Sequence, residues 1–253
     1  MTDKKIYEIL NNLFPFVDQE KWDKSQIYFN FFNCEVKKIG LCLDVTLDVV
    51  NQVIATNCNL LVSHHPLYID DVDQKKFYIK KIKSLLLKNK INLISCHTNF
   101  DVSSKGTNYC LLKELNLKNI KKASGSRYAF IGELKNKIQI NELIANVKKS
   151  LDVEYVMFDK NDWKILNNKY IKRICILGGA GASEIDILKK KDKIDVFITS
   201  EVKWHQWEIA KYKNICLLQI PHSVEKIFIK KIKDVLNQFE IIEFFPKTIF
   251  EIR

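Results

Sequence analysis

Apolar runs of strand length alternate with segments of helical periodicity along most of the 253-residue chain. Strands that are buried on both faces read as near-continuous apolar runs, whereas amphipathic helices repeat their apolar positions every three or four residues. This alternation predicts an α/β fold. The predicted strands are residues 38–45, 59–63, 91–96, 128–134, 154–158, 172–177, 195–199, 215–220 and 240–245.

Helical patterns fill the intervals between these strands. The first of these predicted helices begins at Thr46, and four others cover residues 75–89, 107–115, 140–150 and 223–236. A further helix is predicted to begin at Glu184. The small polar stretch at residues 124–126 is the best candidate for a linker. We therefore predict two interlinked α/β domains, residues 1–124 and 125–253, with the C-terminal part packing back on the first domain.

All five histidines lie at the end of a predicted strand or within a few residues after it: His64, His65, His97, His205 and His222. Ligands of α/β sheets gather beyond the carboxyl ends of the strands. The distribution of histidine therefore predicts a metal or ligand site at these strand ends, in the cleft between the two domains.

His64 and His65 follow the second predicted strand. Adjacent residues of an extended segment point to opposite sides, so this pair places one imidazole on each of two neighbouring ions more readily than it chelates one. A chance doublet in a turn is the alternative. His97 and Asp101 follow the next strand and supply an imidazole and a carboxylate four residues apart, although Asp101 could instead cap a helix or close a turn.

His222 and Glu225 lie three residues apart at a strand-to-helix junction. In a helical first turn both side chains project from one side, which suits an imidazole and a carboxylate that converge on one site. The alternative is a capping box with Ser223 as the N-cap, but the partner position holds Lys226 rather than an acid. The combined set of nitrogen and oxygen ligands suits Zn, Mn, Fe or Ni rather than Ca.

A glycine-rich loop follows the strand predicted at residues 172–177 and contains three of the seven glycines: Gly178, Gly179 and Gly181. Backbone N–H groups at such a junction can bind phosphate or another anion. The loop lacks the G-x-G-x-x-G pattern and a following Lys-Ser/Thr pair, so a tight turn or a subunit contact is the other interpretation.

The formal net charge of +11 carries less information about partners than its size suggests. Only three of the 41 basic residues are arginines, whereas proteins that read base sequence depend on arginine for bidentate contacts. The lysines occur in short runs on helical patterns, which is typical of solvated faces. They favour attraction of a small anionic substrate, with weak, salt-sensitive nucleic-acid binding as a further possibility.

Seven cysteines without a C-x-x-C pair indicate thiols in a reducing compartment. The first residues lack the apolar core of a signal peptide, and no apolar run reaches the roughly 18 residues of a membrane span. We expect a cytoplasmic protein without a membrane anchor.

The motifs, taken in order, resemble a known family. The sequences SHHPL at 63–67, HTNFD at 97–101, TSEVKWH at 199–205 and HSVE at 222–225 are similar to those of the GTP cyclohydrolase 1 type 2 homologue family, the dinuclear metal-centre hexameric proteins. The likeness extends from Trp22 and Asp23 through the glycine-rich loop. Its length suggests the short form of the family, without a large inserted domain.

The resemblance implies two divalent ions per subunit, bridged by a carboxylate and solvent. It assigns His64 and His65 to separate ions, Asp101 to one ion, His222 to the other, and Glu225 to the bridge. It places four further side chains around the cavity: His97, Glu201, Lys203 and His205. Of these, His97 and His205 would transfer protons. Two departures stand out, because the family usually separates the last His and Glu by four residues and has glycine where Ser200 stands.

Two functions follow as hypotheses. The first is a metal-dependent hydrolase of a nucleotide-like or phosphate-bearing small molecule, for which the family name implies ring-opening hydrolysis of GTP. The second is a metal-binding ring without enzymatic activity that binds a protein partner or a polyanion. The resemblance also implies a toroidal homohexamer.

Overall fold

The computed structural model describes residues 1–29, 31, 35–160 and 170–246. Cys34 and Arg253, which entered the counts above, lie outside the described residues. The chain forms two compact units, Met1–Asp101 together with Phe228–Arg253, and Val102–Ile227. Residues 107–122, which form a helix and a strand, belong to the second unit.

The first unit contains a four-stranded parallel sheet in the order β3-β2-β1-β9. The strands are β1 Lys38–Cys42, β2 Leu60–Ser63, β3 Asn92–Ser95 and β9 Glu240–Phe244. Since β9 pairs directly with β1, the C-terminal strand belongs to the same sheet as the N-terminal strands. All four carboxyl ends lie at one edge of the sheet.

Helices cover both faces of this sheet. They are α1 Asp3–Leu13, α2 Leu47–Ala55, α3 Phe77–Lys88, the single turn α4 Thr98–Asp101, and α8 Ile227–Val235. Alternate strand residues enter opposite cores: Leu60 and Val62 pack with α1 and α8, while Leu61 packs with α2 and α3. Double-sided burial explains why these strands read as unbroken apolar runs.

The second unit contains a five-stranded mixed sheet in the order β4-β5-β6-β7-β8. The strands are β4 Lys118–Lys122, β5 Phe130–Gln139, β6 Tyr170–Ile176, β7 Val196–Thr199 and β8 Cys216–Gln219. The pairs β4–β5 and β5–β6 are antiparallel, whereas β6–β7 and β7–β8 are parallel. The three parallel strands therefore end at one edge.

Two apolar cores flank this sheet. Helices α5 Thr107–Glu114 and α6 Ile140–Ser150 pack on one face. Helix α7 Trp204–Lys213 and the 3-10 helix Gly181–Asp186 pack on the other. The two sheets and the helices that flank them confirm the predicted α/β class.

Four local predictions differ from the structure. Residues 154–158 form no named strand, and Met157 makes a single bridge to Gln219. Strand β4 was not predicted, because its residues are mainly charged. The segment opening at Glu184 is 3-10 rather than α-helical, and the helix predicted at 223–236 begins as the 3-10 helix His222–Lys226.

Two composition-based expectations can also be compared with the described residues. Cys42, Cys58, Cys96 and Cys175 are buried free thiols. Among the helices of the described ranges, none has the length and apolar character needed to cross a membrane.

Candidate metal centre

The histidine pair of the first unit is held at the carboxyl end of β2. The backbone N–H of His64 donates to the Cys42 carbonyl at 3.2 Å, and that of His65 donates to the Leu43 carbonyl at 2.9 Å. These bonds continue the pairing with β1 beyond the last strand residue. The two imidazoles lie with centroids 5.0 Å apart and planes inclined by 44°.

Each ring of this pair has a defined partner at Nδ1. His64 Nδ1 lies 2.9 Å from the Cys96 carbonyl oxygen, and His65 Nδ1 lies 2.7 Å from Asp44 Oδ1. A carbonyl or carboxylate oxygen only accepts, so both rings carry their proton on Nδ1 and present a lone pair at Nε2. This is the tautomer and support that histidine ligands of metals have in proteins.

Asp101 and His97 join the same cluster. The Asp101 N–H donates to the His97 carbonyl at 3.0 Å, so one helical turn brings the Asp101 carboxylate back towards the sheet edge. Asp101 Oδ1 lies 3.6 Å from His64 Nε2. His64, His65 and His97 each offer a ring nitrogen within 4.8 Å of the others. The first unit thus assembles three imidazoles and a carboxylate.

His97 lies against a buried carboxylate. Its Nδ1 is 3.5 Å from Asp23 Oδ1, and its N–H donates to Ser25 Oγ at 3.0 Å. Burial alone would raise the pKa of Asp23, but the contact with His97 and hydrogen bonds from Thr98 hold that pKa well below its ordinary value. A carboxylate that stays ionised beside Nδ1 orients the His97 ring, and an oriented imidazole at the sheet edge suits proton transfer.

Cys96 contributes its carbonyl rather than its thiol to this cluster. The side chain is fully buried, and burial raises the pKa of the Cys96 thiol to about 12. A thiol of this kind stays protonated in the core. Cys96 is therefore a packing residue of the core.

The second unit provides an imidazole between two carboxylates. His222 Nδ1 lies 2.6 Å from Glu201 Oε1, and His222 Nε2 lies 2.8 Å from Glu225 Oε2. Glu225 is only 4% exposed, and a buried carboxylate requires a cationic or hydrogen-bonding partner. Glu201 fixes the orientation of the ring in the same way that Asp44 does in the first unit.

The three-residue spacing of His222 and Glu225 has a structural explanation. These residues belong to the 3-10 helix His222–Lys226. In a 3-10 helix, side chains three residues apart lie directly above one another. In an α-helix, residues three and four apart are neighbours on the same face but do not eclipse. The local conformation therefore compensates for the departure from the family spacing. Pro221 is the N-cap of this helix, so the alternative in which Ser223 caps it is not observed.

The glycine-rich loop packs on Glu225. Gly179 has a φ of +64°, and a Cβ at this position would lie 2.4 Å from Glu225 Oε1. The Gly179 carbonyl accepts the N–H groups of Ser200 and Glu201 at 3.2 and 3.1 Å. The loop is thus a tight turn that supports the carboxylate and connects it to the residues after β7.

The remaining predicted residues lie at or beside α7. His205 and Lys203 are exposed, and His205 belongs to none of the candidate ligand groups found among the described residues. Its proposed role in proton transfer stays a prediction. Ser200 is 2% exposed, and its φ is not positive, so serine fits where the family usually has glycine.

Asp44, which binds His65 Nδ1, is a functional residue that the sequence motifs did not indicate. A signal was present, because Asp44 lies two residues after the apolar strand β1, and His64 and His97 lie one and two residues after β2 and β3. A carboxylate at the end of a neighbouring parallel strand reaches the same sheet edge.

Fold and donor sets together define a class: an α/β protein whose strand ends carry oriented imidazoles and carboxylates suited to divalent metals. The chain matches the family model described as Duf34/NIF3 (NGG1p interacting factor 3) over residues 1–249. It belongs to this family, and the family resemblance inferred from the motifs is confirmed.

Named relatives and a solved structure agree. The chain is 34% identical over 247 residues to a GTP cyclohydrolase 1 type 2 homolog of Ureaplasma parvum, covering 94% of this chain and 91% of the relative. It is 30% identical to the GTP cyclohydrolase 1 type 2 of Helicobacter pylori strain J99, covering 94% and 93%. A hypothetical protein of Staphylococcus aureus superposes with a TM-score of 0.87 at 25% identity, covering 100% and 99%.

Proposed function

We propose that this protein binds two divalent metal ions and uses them to hydrolyse a nucleotide-like or phosphate-bearing small molecule. The observation that carries the proposal is the oriented state of three imidazoles. His64, His65 and His222 each have Nδ1 directed at an oxygen acceptor, which fixes the orientation of the ring. Nε2 is then the nitrogen left to face a metal at His64 and His65, and at His222 it lies 2.8 Å from Glu225 Oε2, beside the carboxylate that would share a bound ion. Imidazoles held in this way are ready-made ligands for Zn, Mn, Fe or Ni.

The ligand set comprises His64, His65 and Asp101 from the first unit and His222 and Glu225 from the second. The family resemblance assigns all five to one dinuclear centre, and this supports combining the two donor sets. The burial of Glu225 beside His222 fits a carboxylate that neutralises cationic charge. Divalent ions held there supply Lewis acidity, which activates water as a nucleophile and stabilises negative charge on the substrate.

The other residues orient ligands and move protons. Asp44 and Glu201 fix the ring orientations of His65 and His222 through contacts at Nδ1. His97, with Asp23 at 3.5 Å from its Nδ1, accepts and returns a proton at a leaving or attacking oxygen. His205, exposed at the start of α7, is the second candidate for proton transfer. The names of the relatives favour GTP as the first substrate to test.

The test is hydrolysis by metal-loaded protein across a panel of GTP, other nucleotides and phosphoesters. His64→Ala and Asp101→Ala should lose both bound metal and activity, because each removes a direct ligand. Asp70→Ala, which removes an exposed acid of the same unit, serves as the matched control and should retain both. Activity that persists unchanged in the metal-depleted variants would refute the hydrolase proposal.

The alternative without enzymatic activity, a metal-binding ring that binds a polyanion, gives a different result. Binding of DNA would persist after metal removal and weaken steeply with salt, because it depends on lysine contacts to phosphate. The proposed homohexamer is checked by light scattering, and a stable monomer would contradict it.

A further inference from the structure

The second unit contains a cavity of about 380 Å³ that the proposed metal ligands do not use. Its apolar walls come from two segments, residues 157–158 and 202–207. The lining side chains are Met157, Phe158, Val202, Trp204 and Trp207. Small-molecule sites typically have volumes of roughly 300–1,000 Å³ and mostly apolar, aromatic walls. This cavity has the size and lining for a planar ring system.

The walls are held by defined contacts. Met157 exchanges two backbone hydrogen bonds of 2.8 Å with Gln219, which fixes its segment to the edge strand β8. Trp207 packs against the core beneath α7. Trp204, in contrast, is 84% exposed although it opens the same helix. Because Trp204 also lines the cavity, its exposed ring is available to stack on a planar ligand there.

Three charged groups complete the cavity. Lys211 Nζ lies 2.8 Å from Asp159 Oδ2 and 2.9 Å from Glu208 Oε1. Hydrogen bonds to these carboxylates raise the pKa of Lys211, so the ammonium stays charged. Two carboxylates against one ammonium leave one negative charge. Glu208 is 46% exposed in its side chain and uses Oε1 for Lys211, so it retains capacity to accept hydrogen bonds.

This combination selects among ligand classes. A net negative charge disfavours a phosphate group, and exposed tryptophan favours a flat ring. A carboxylate pairs well with adjacent N–H donors on the edge of such a ring. One lining residue is also adjacent in sequence to the candidate metal site, since Val202 directly follows Glu201, which binds His222.

We propose that this cavity binds the heteroaromatic base of the substrate, a purine with N–H donors such as guanine, by stacking on Trp204 and hydrogen bonding to Glu208. The inference rests on the proposed function in that it names the base-binding part of the same nucleotide-like substrate. The phosphate groups would lie outside the cavity, away from its negative charge.

The experiment is isothermal titration of guanosine into the full-length protein as purified. Guanosine has no phosphate, so its binding reports on recognition of the base and the sugar, and chromatography of the titrated sample verifies that the nucleoside stays intact. We expect saturable binding that weakens about tenfold or more in Trp204→Ala, since stacking of a base on an aromatic side chain contributes roughly 1–3 kcal/mol. Glu208→Gln should also weaken binding, because the carboxylate acceptor is lost.

Tyr212→Ala is the matched control, because Tyr212 lies on the same helix, is 85% exposed and does not line the cavity. It should bind guanosine as the unmodified protein does. Both aromatic side chains are largely exposed, so we expect both variants to fold, which circular dichroism verifies. Absence of saturable binding, or equal affinity in Trp204→Ala, would overturn the proposal.

Asp101→Ala separates the two proposals. This variant should lose metal-dependent hydrolysis and still bind guanosine. Guanosine binding without hydrolysis in the unmodified protein would refute only the hydrolase function. Hydrolysis without any effect of Trp204→Ala on guanosine binding would refute only the base-binding cavity.

Discussion

Replacing Gly179 by alanine tests how the glycine-rich loop supports the metal centre. The new Cβ would lie 2.4 Å from Glu225 Oε1 and 3.5 Å from His222 Nε2. Carbon and oxygen do not approach to 2.4 Å without a bond, so either the loop or the carboxylate must move. The backbone adds a second cost, because φ is +64° and a left-handed conformation costs a residue with a Cβ roughly 1–2 kcal/mol.

Two measurements separate these effects. The backbone cost should lower the melting temperature by about 2–4 °C for each kcal/mol in a chain of this size. Displacement of Glu225 should weaken metal binding by about 10–100-fold, the usual effect of disturbing groups that support a metal ligand. Thermal unfolding monitors the first effect, and calorimetric titration of Zn or Mn into metal-depleted protein monitors the second.

Gly125→Ala provides the matched control. Gly125 also has a left-handed backbone, with a φ of +89°, but its added Cβ would meet the flexible end of Lys189 at 3.2 Å. This variant should lose stability and keep its metal affinity. Unchanged metal affinity in Gly179→Ala, or an equal loss in both variants, would refute the assigned role of the loop.

Three further predictions concern single side chains. Asp44→Asn should weaken metal binding by about 10–100-fold in calorimetric titration, because the amide no longer provides a carboxylate for His65 Nδ1; unchanged affinity would contradict the orienting role. Thr46→Ala should lower the free energy of unfolding by about 1 kcal/mol in urea titrations, since Thr46 Oγ1 caps α2 by accepting the Val49 N–H at 3.1 Å. An unchanged free energy of unfolding would refute this capping role. The pKa of Asp23 is depressed in the folded protein, so its carboxylate stabilises the fold above about pH 4, and this contribution is lost as the pH falls further. Asp23→Asn should therefore be less stable at neutral pH, and its stability should depend less on acid. Equal acid sensitivity of the two proteins in urea titrations would refute this.

The parts of the fold that could be predicted from sequence are those in which burial controls the pattern. Strands β1, β2 and β3 are buried between helical layers, so their apolar runs identify them. Strand β4 lies at the edge of its sheet and is mostly lysine, which is a common protection of an edge and carries no apolar signal. Residues 154–158 show the opposite case, an apolar segment that makes only a single bridge.

The candidate ligands could be predicted from the sequence, but the hydrogen bonds that orient them could not. The histidines could be placed at strand ends because strand boundaries were readable from the chain. Glu201 was expected to line the cavity, but its hydrogen bond to His222 depends on the turn after β7. The 3-10 conformation at His222 could not be predicted either, because apolar periodicity does not distinguish one turn of 3-10 helix from the start of an α-helix.

The most direct test of the central claim is the metal content of the purified protein, measured by inductively coupled plasma mass spectrometry alongside three variants. We predict two divalent ions per chain, with a loss of bound metal in Asp101→Ala and Glu225→Gln and full retention in Asp70→Ala. Protein that binds no stoichiometric metal after incubation with Zn, Mn, Fe or Ni would contradict it, as would full occupancy in both ligand variants.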